Sequence, residues 1–294
     1  MQTVPRENRP TLNIKGTLID LSTPVVMGIL NVTPDSFYAA SRCQAEDAVI
    51  RRARQIIDEG GTIIDVGAYS SRPNATDIPE KEEIHRLDKA LSAIRKTFPD
   101  VFLSVDTFRA SVAKMCIENY GVEIINDISG GELDKEMFAT VAQYHTAYIL
   151  MHMRGTPQDM GKHVRYENLV AGILQYFAQK TARLRSLGVC DIIIDPGFGF
   201  SKTLNDNYRL LNALHHFTTF DMPILVGVSR KSMIYNLLGT TPEGSLNGTS
   251  VLNTLALLGG SDILRVHDVK EAVETVKIVT KTLMEPKPLC KTSE

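Results

Sequence analysis

The 294-residue chain has no tryptophan, and only 6% of its residues are aromatic. It has four cysteines, Cys43, Cys116, Cys190 and Cys290, widely separated and without a CxxC pair. Neither a zinc site nor a disulfide framework is indicated, and all four are read as reduced thiols. No apolar run approaches the ~18 consecutive residues of a membrane span. The opening MQTVPRENRPTLNIKG also lacks the apolar centre of a secretory leader, so a cytoplasmic address is expected. Basic charge is not in excess: 32 Lys and Arg against 34 Asp and Glu leave a formal net charge of -2. The expected partners therefore include no nucleic acid and no membrane. Two phosphate-loop signatures are missing as well, since DPGFGF at 195–200 has neither the GxGxxG nor the GxxxxGK[ST] spacing.

What is present is an alternation. Short β-branched runs, PVVMGIL, TIIDVG, VFLSVD, VEIIND, AYILMH, DIIIDP, PILVGVS and DILRVH, are separated by longer segments of helical period. Amphipathic stretches at 45–59, 80–97 and 164–187 carry Glu early and Lys or Arg late, as the helix dipole favours. Near-continuous apolar strands imply a parallel sheet covered on both faces. Eight such units in one chain predict an α/β fold, a (β/α)8 TIM barrel occupying residues 1–294 as a single domain. An open doubly wound sheet is the alternative. Residues 11–23 read as two short strands around Lys15-Gly16, a hairpin capping the bottom of the barrel. The tail at 286–294 has no periodicity and reads as loose.

Each strand ends in polar residues: Asn31, Asp65, Asp106, Asn126-Asp127, His152 with Arg154, Asp195, Ser229-Arg230-Lys231, and Arg265-His267-Asp268. Turn-forming residues are common wherever strands surface. Charges directly at apolar strand ends are not, because an unpaired charge there is costly. A barrel gathers the C-terminal ends of all its strands around one mouth, so these residues are expected to form one ligand site.

That mouth has two chemical halves. GVSRKS and RVHD supply cations beside the strands where barrels commonly hold phosphate, so an anion is expected there. Asp106, Asn126 and Asp195 supply acceptors that suit a ring rich in N–H donors, and Lys231 supplies a donor for a ring carbonyl. The combination points to a flat N–H-rich heterocycle carrying a phosphate or pyrophosphate, without identifying the ring. SSRPNA at 70–75 and NVTPDSF near Asp35 are too polar for core and read as mobile lids.

The segments MGILNVTPDSF, SVDTFRA, INDISGG, MHMRGTP, DPGFGFSK, GVSRKSMI and LRVHDV, in this order, closely resemble the signatures of the dihydropteroate synthase family. That resemblance spans residue 14 to about 283 and implies a barrel joining 6-hydroxymethyl-7,8-dihydropterin pyrophosphate to p-aminobenzoate, with release of pyrophosphate in folate synthesis. It implies a dissociative mechanism with Asp106, Asp195, Lys231, Arg265 and His267 as catalytic residues. The pterin would be held by Asp106, Asn126, Asp195 and Lys231, between Met151 and Phe200. The pyrophosphate would lie against Asn31, Arg265 and His267, with Asn31 as a ligand of Mg2+. Phe37, Arg72, Pro73 and Ser232 would shape the p-aminobenzoate pocket, a target of sulfonamides, and a homodimer is expected. Both lids depart from the family pattern: Tyr38-Ala39-Ala40-Ser41 stands where Ser-Asp-Gly-Gly is usual, and Tyr69 and Asn74 replace Glu and Gly. Two alternatives share the ring site, a methyltetrahydrofolate-corrinoid methyltransferase and a non-catalytic pterin-binding barrel. The Arg265 and His267 pair argues against the first, and the altered lids are the only support for the second.

Other polar positions have plainer readings. Asp127 should face away from Asn126 and be structural, and Asp65 is balanced between structure and support of a lid. His152 reads as a satisfied buried histidine without an identifiable partner.

Overall fold

The computed structural model describes residues 10–14, 16–32, 42–70 and 77–284, with the backbone alone for 42–45. The predictions for Phe37, Ala39, Arg72, Pro73, Asn74 and the tail at 286–294 lie outside the described residues.

The chain opens with β1 (Thr11–Ile14) and β2 (Thr17–Asp20), paired antiparallel with Thr11 opposite Asp20 and Ile14 opposite Thr17. Asn13 accepts the Gly16 N–H at 2.9 Å, and Gly16 supplies the positive φ of +86° that this turn requires. Leu12, Ile14, Ile19 and Leu21 turn to one side and join Met27, Ile63, Ile124, Ile149, Ile193, Leu225 and Ile263 in one buried cluster. The Asn13 N–H donates to Asp191 at 2.7 Å, tying the hairpin to the start of a barrel strand. The expected cap at the barrel bottom is therefore present.

Above it, β3 (Val25–Asn31), β4 (Ile63–Gly67), β5 (Phe102–Asp106), β6 (Ile124–Asp127), β7 (Ala147–Met151), β8 (Ile192–Asp195), β9 (Leu225–Val226) and β10 (Ile263–Val266) form one parallel sheet. Its order is β8-β7-β6-β5-β4-β3-β10-β9, and a bridge between Ile194 and Ile224 brings the two edges together into a barrel. Around it run α1 (Arg42–Asp58), α2 (Glu80–Thr97), α3 (Ala110–Tyr120), α4 (Met137–Gln143), α5 (Leu169–Ser186), α6 (Leu204–Asn212), α7 (Ser232–Leu238), α8 (Leu246–Leu258) and α9 (Val269–Met284). No helix among the described residues is long and apolar enough to cross a membrane.

The helix expected at 80–97 has those limits, with Glu80, Glu82 and Glu83 in its first turn and Arg95 and Lys96 in its last. The one expected at 164–187 begins later, at Leu169, because the Asn168 side chain accepts the Ala171 N–H at 3.1 Å and caps it there. β9 is also shorter than the run PILVGVS: it ends at Val226, ahead of a turn in which the Lys231 N–H donates to the Val228 carbonyl at 3.2 Å and Arg230 has a φ of +54°. The Arg230 guanidinium is held there by Asp268 at 2.9 and 2.7 Å.

Alternation along the strands sorts the side chains. Val26, Leu30, Ile64, Val66, Leu103, Val105, Ile125, Ile194, Val226 and Leu264 face outward and pack with the helices. Gly28 lets α1 approach β3: a Cβ there would lie 2.5 Å from Ile56 Cγ2. The inward residues run from the apolar bottom cluster to polar groups at the opposite end.

Candidate active site

At the C-terminal mouth of the barrel an open cleft is lined by Asp106, Asn126, Met151, Asp195, Phe200, Lys231 and Arg265, with Ile128 and Gly227. Every residue expected to hold the ring is in this set. Register explains the convergence: Asp106 lies opposite Asn126 across β5 and β6, and Met151 opposite Asp195 across β7 and β8. Gly227 and Ile128 were not anticipated. Alternation could have located both, Gly227 two residues beyond the inward Leu225 and Ile128 two residues beyond the inward Asn126.

Arg265 is the centre of the floor. Its Nη2 donates to Asp106 at 2.8 Å and its Nε to Asp65 at 2.6 Å. Burial pushes the Asp106 carboxyl up to about 7, against the pull of Arg265 and with the help of the nearby Asp65 charge. For Arg265 the two carboxylates outweigh burial and hold the guanidinium firmly charged. Asp65 thus faces inward, beneath the ring site; residues 71–76 of the lid in its other reading lie outside the described residues. Asp127 faces outward as expected and accepts from Tyr148, Ser129 and Gly131 at 2.7 to 2.8 Å.

The loop after β8 builds the opposite wall. Asp195 Oδ1 accepts the Gly197 N–H at 2.8 Å. Burial raises the Asp195 carboxyl, and the Lys231 charge opposes that rise. Lys231 donates to the Phe198 carbonyl and lies 4.8 Å from the centre of the Phe200 ring. Burial lowers this lysine to about 8, with Asp195 opposing. Behind the wall sits Lys202, unassigned by sequence although it ends the DPGFGFSK segment. Its buried ammonium donates to the carbonyls of Gly197 at 2.9 Å and Phe200 at 3.0 Å and reaches His152 Nδ1 at 3.2 Å. His152 therefore has a partner after all. Burial and the Lys202 charge push its imidazole down to about 2, so it is neutral and accepts through Nδ1.

The rim carries the remaining predicted groups. Asn31 ends β3 and His267 follows β10, and neither lines the cleft itself. Ser229 Oγ accepts the His267 backbone N–H at 3.1 Å and lies 3.0 Å from His267 Nδ1. Where the Ser229 hydroxyl donates to Nδ1, the neutral ring carries its proton on Nε2, away from Ser229; in the other tautomer Nδ1–H donates to Ser229. Burial and Arg265 lower His267 to about 4, so the imidazole is neutral near pH 7. Arg52 of α1 donates to the His267 carbonyl at 2.6 Å and to that of Ile29 at 3.3 Å, joining the ends of β3 and β10 from outside. Ser232 is the first residue of α7, directly after Lys231, and does not line the cleft.

On the β4 side, the Tyr69 ring meets Phe108 edge-on at 5.0 Å, and its hydroxyl accepts from Gln158 at 2.7 Å. Arg109 lies 5.6 Å from the Tyr69 ring, donates to the Ile78 carbonyl at 2.8 Å and pairs with the buried Glu83. Among the described residues no group of three or more His, Cys, Asp and Glu is arranged to hold a metal ion.

Residues 27–267 match the sequence model of a family described as pterin binding enzymes. The dihydropteroate synthase of Escherichia coli K12 is 40% identical over 271 residues, covering 92% of this chain and 95% of that protein. That of Synechocystis is 38% identical over 92% of this chain and 94% of its own length. A Yersinia pestis dihydropteroate synthase solved with a sulfonamide drug superimposes at a TM-score of 0.87 with 38% identity, covering 94% of this chain and all of that one. The Thermus thermophilus enzyme in complex with 4-aminobenzoate gives 0.83 with 34% identity, over 92% of this chain and 99% of that one. With matches of this extent, from the bottom of β3 to the rim histidine, the chain belongs to the pterin-binding enzyme family and, within it, to the dihydropteroate synthases.

Proposed function

We propose that this chain condenses 6-hydroxymethyl-7,8-dihydropterin pyrophosphate with p-aminobenzoate by a dissociative path, holding the ring in the floor and the leaving group at the β3–β10 rim. The observation that carries this reading is the convergence of Asp106, Asn126, Asp195, Lys231 and Arg265 on one cleft between Met151 and Phe200. Asp106, Asp195 and the Asn126 oxygen accept from ring N–H groups, and Lys231 donates to the ring carbonyl. The C–O bond to pyrophosphate breaks with its electron pair leaving on oxygen, and the two carboxylates stabilise the electron-poor ring that remains. The amine lone pair of p-aminobenzoate then forms the new C–N bond, and its proton passes to solvent. No protein nucleophile is required.

Arg265 has Nη1 without a partner among the described residues and can donate to a departing pyrophosphate, as can His267 in the tautomer with its proton on Nε2. A magnesium ion suits the Asn31 amide oxygen as its protein ligand, because Mg2+ is usually held by one or two protein oxygens, water and substrate phosphates. Gly67 leaves that oxygen uncrowded, since even a Cβ there would stay 3.5 Å away. The ion would supply charge neutralisation at the leaving group.

A homodimer fits the outer faces of α7, α8 and α9, where Leu237, Leu238, Val251 and Ile278 are all more than half exposed. The apolar run at 251–260 is otherwise spent on the core, with Leu252, Ala256 and Leu257 buried.

The reaction is tested by supplying purified protein with pterin pyrophosphate, magnesium and p-aminobenzoate and measuring dihydropteroate. Product that requires both substrates supports the reading. Pterin binding without product would instead identify a non-catalytic barrel, with the replaced lid residues Ala39 and Tyr69 as the first positions to restore.

A further inference from the structure

Beneath the cleft lies a carboxylate that the ring contacts do not use. Asp65 points into the barrel from the middle of β4, fully buried, level with Ile29 on one side and Ser104 on the other. Its Oδ2 accepts from Arg265 Nε at 2.6 Å and from Asn126 Nδ2 at 3.2 Å. An ionised carboxylate only accepts, so an amide beside it must present its nitrogen. Asn126 is therefore held with its NH2 downward, and its oxygen, to which no described residue donates, is left for the cleft it lines. In the flipped rotamer two N–H donors would meet, one from Asn126 and one from the ring, and two acceptors would meet at Asp65. The same carboxylate steadies the guanidinium whose other edge binds Asp106 at 2.8 Å, so two ring-facing acceptors depend on it.

We propose that Asp65 is a positioning residue that fixes the hydrogen-bond polarity of the ring cleft, turning the Asn126 carbonyl oxygen toward the ligand and selecting a heterocycle that presents an N–H donor there. This deepens the pterin reading above and rests on it.

The test is steady-state kinetics of the full chain with both substrates. Asp65→Leu, which removes the shared acceptor, is expected to raise the KM for pterin pyrophosphate by about tenfold or more, the scale of one hydrogen bond to a charged group. The KM for p-aminobenzoate should stay within about twofold, a split that general loosening of the barrel would not produce. Asp65→Asn is the conservative variant, because its one amide oxygen can stand where Oδ2 does and accept from both Arg265 Nε and Asn126 Nδ2. It should recover much of the loss by keeping the Asn126 amide oriented, whereas Asn126→Asp sets two carboxylates face to face and should bind worse than wild type. A pterin KM unchanged in Asp65→Leu, or an Asp65→Asn no better than Asp65→Leu, overturns the proposal. A second measurement needs no variant fold and no ligand: in the wild-type protein labelled with 15N, the Asn126 side-chain N–H protons should be protected from exchange by Asp65. Rapid exchange of those protons overturns the orientation. If wild-type protein fails to bind pterin while the protons are protected, it is the functional reading that fails and not the geometry.

Discussion

Asp106 and Lys231 face one cleft with their titrations displaced toward each other. Burial raises the carboxyl to about 7 and lowers the ammonium to about 8. Below the first value Asp106 holds a proton and loses its acceptor character, and above the second Lys231 loses its charge and with it a strong donor. The kcat/KM for pterin pyrophosphate should therefore rise with pH through about 7 and fall through about 8. Asp106→Asn should remove the rising limb while lowering the maximum. A pH–rate profile of both proteins checks this, and a wild-type profile that is flat across both values contradicts it. At this scale the sequence was most informative where a charge ended an apolar strand. Asp106, Asn126, Asp195 and Lys231 were legible because burying such groups has few explanations other than a ligand or a partner. Asp65 was not, because its partner Arg265 is 200 positions away and only barrel closure brings the two together.

Among the elements, the loop between β8 and α6 depends most on a single side chain. Lys202 gathers the Gly197 and Phe200 carbonyls and His152 Nδ1 onto one buried ammonium. Lys202→Met leaves those acceptors without a donor, at a cost of roughly 1–3 kcal/mol for a buried unsatisfied group. Calorimetry should record a melting temperature lower by about 2 °C or more, and no change would mean that the loop is held elsewhere. The hairpin at the other end gives the complementary case. Leu12→Ala opens a cavity in the bottom cluster and should cost about 2–5 kcal/mol, yet both KM values should stay as they are, because Leu12 is at the pole away from the mouth. A change in either KM would contradict that separation. Element existence was legible from alternation and period, since α2 has its expected limits and the eight parallel strands are all found. Boundaries were less so: a side-chain cap at Asn168 delays α5, and β9 ends at Val226 ahead of a turn whose Arg230 is held by Asp268. Periodicity carries neither kind of contact.

In the molecule as a whole, the barrel separates stability from chemistry by pole. Its bottom is a closed apolar cluster under a hairpin, and its mouth is a set of buried charges that are only partly neutralised by one another. Uncompensated charge of this kind is tolerated where a ligand completes it. The exposed leucines and valine of α7 and α8 belong to the outer wall, where a second copy could cover them. Sedimentation equilibrium should report a dimer for the wild type and a monomer for Val251→Glu, and a wild-type monomer would contradict the proposed assembly. The barrel and its mouth were legible from strand count and strand ends, whereas the Lys202–His152 pair and the Asp65 hub required the closed ring. The central claim is that the floor recognises the pterin and not the second substrate. It is tested most directly by calorimetric titration of wild type and Asp195→Asn with pterin pyrophosphate. The predicted result is a Kd weaker by about tenfold or more in the variant, the scale of a lost hydrogen bond to a charged group, with an unchanged melting transition. Equal affinities would contradict the account.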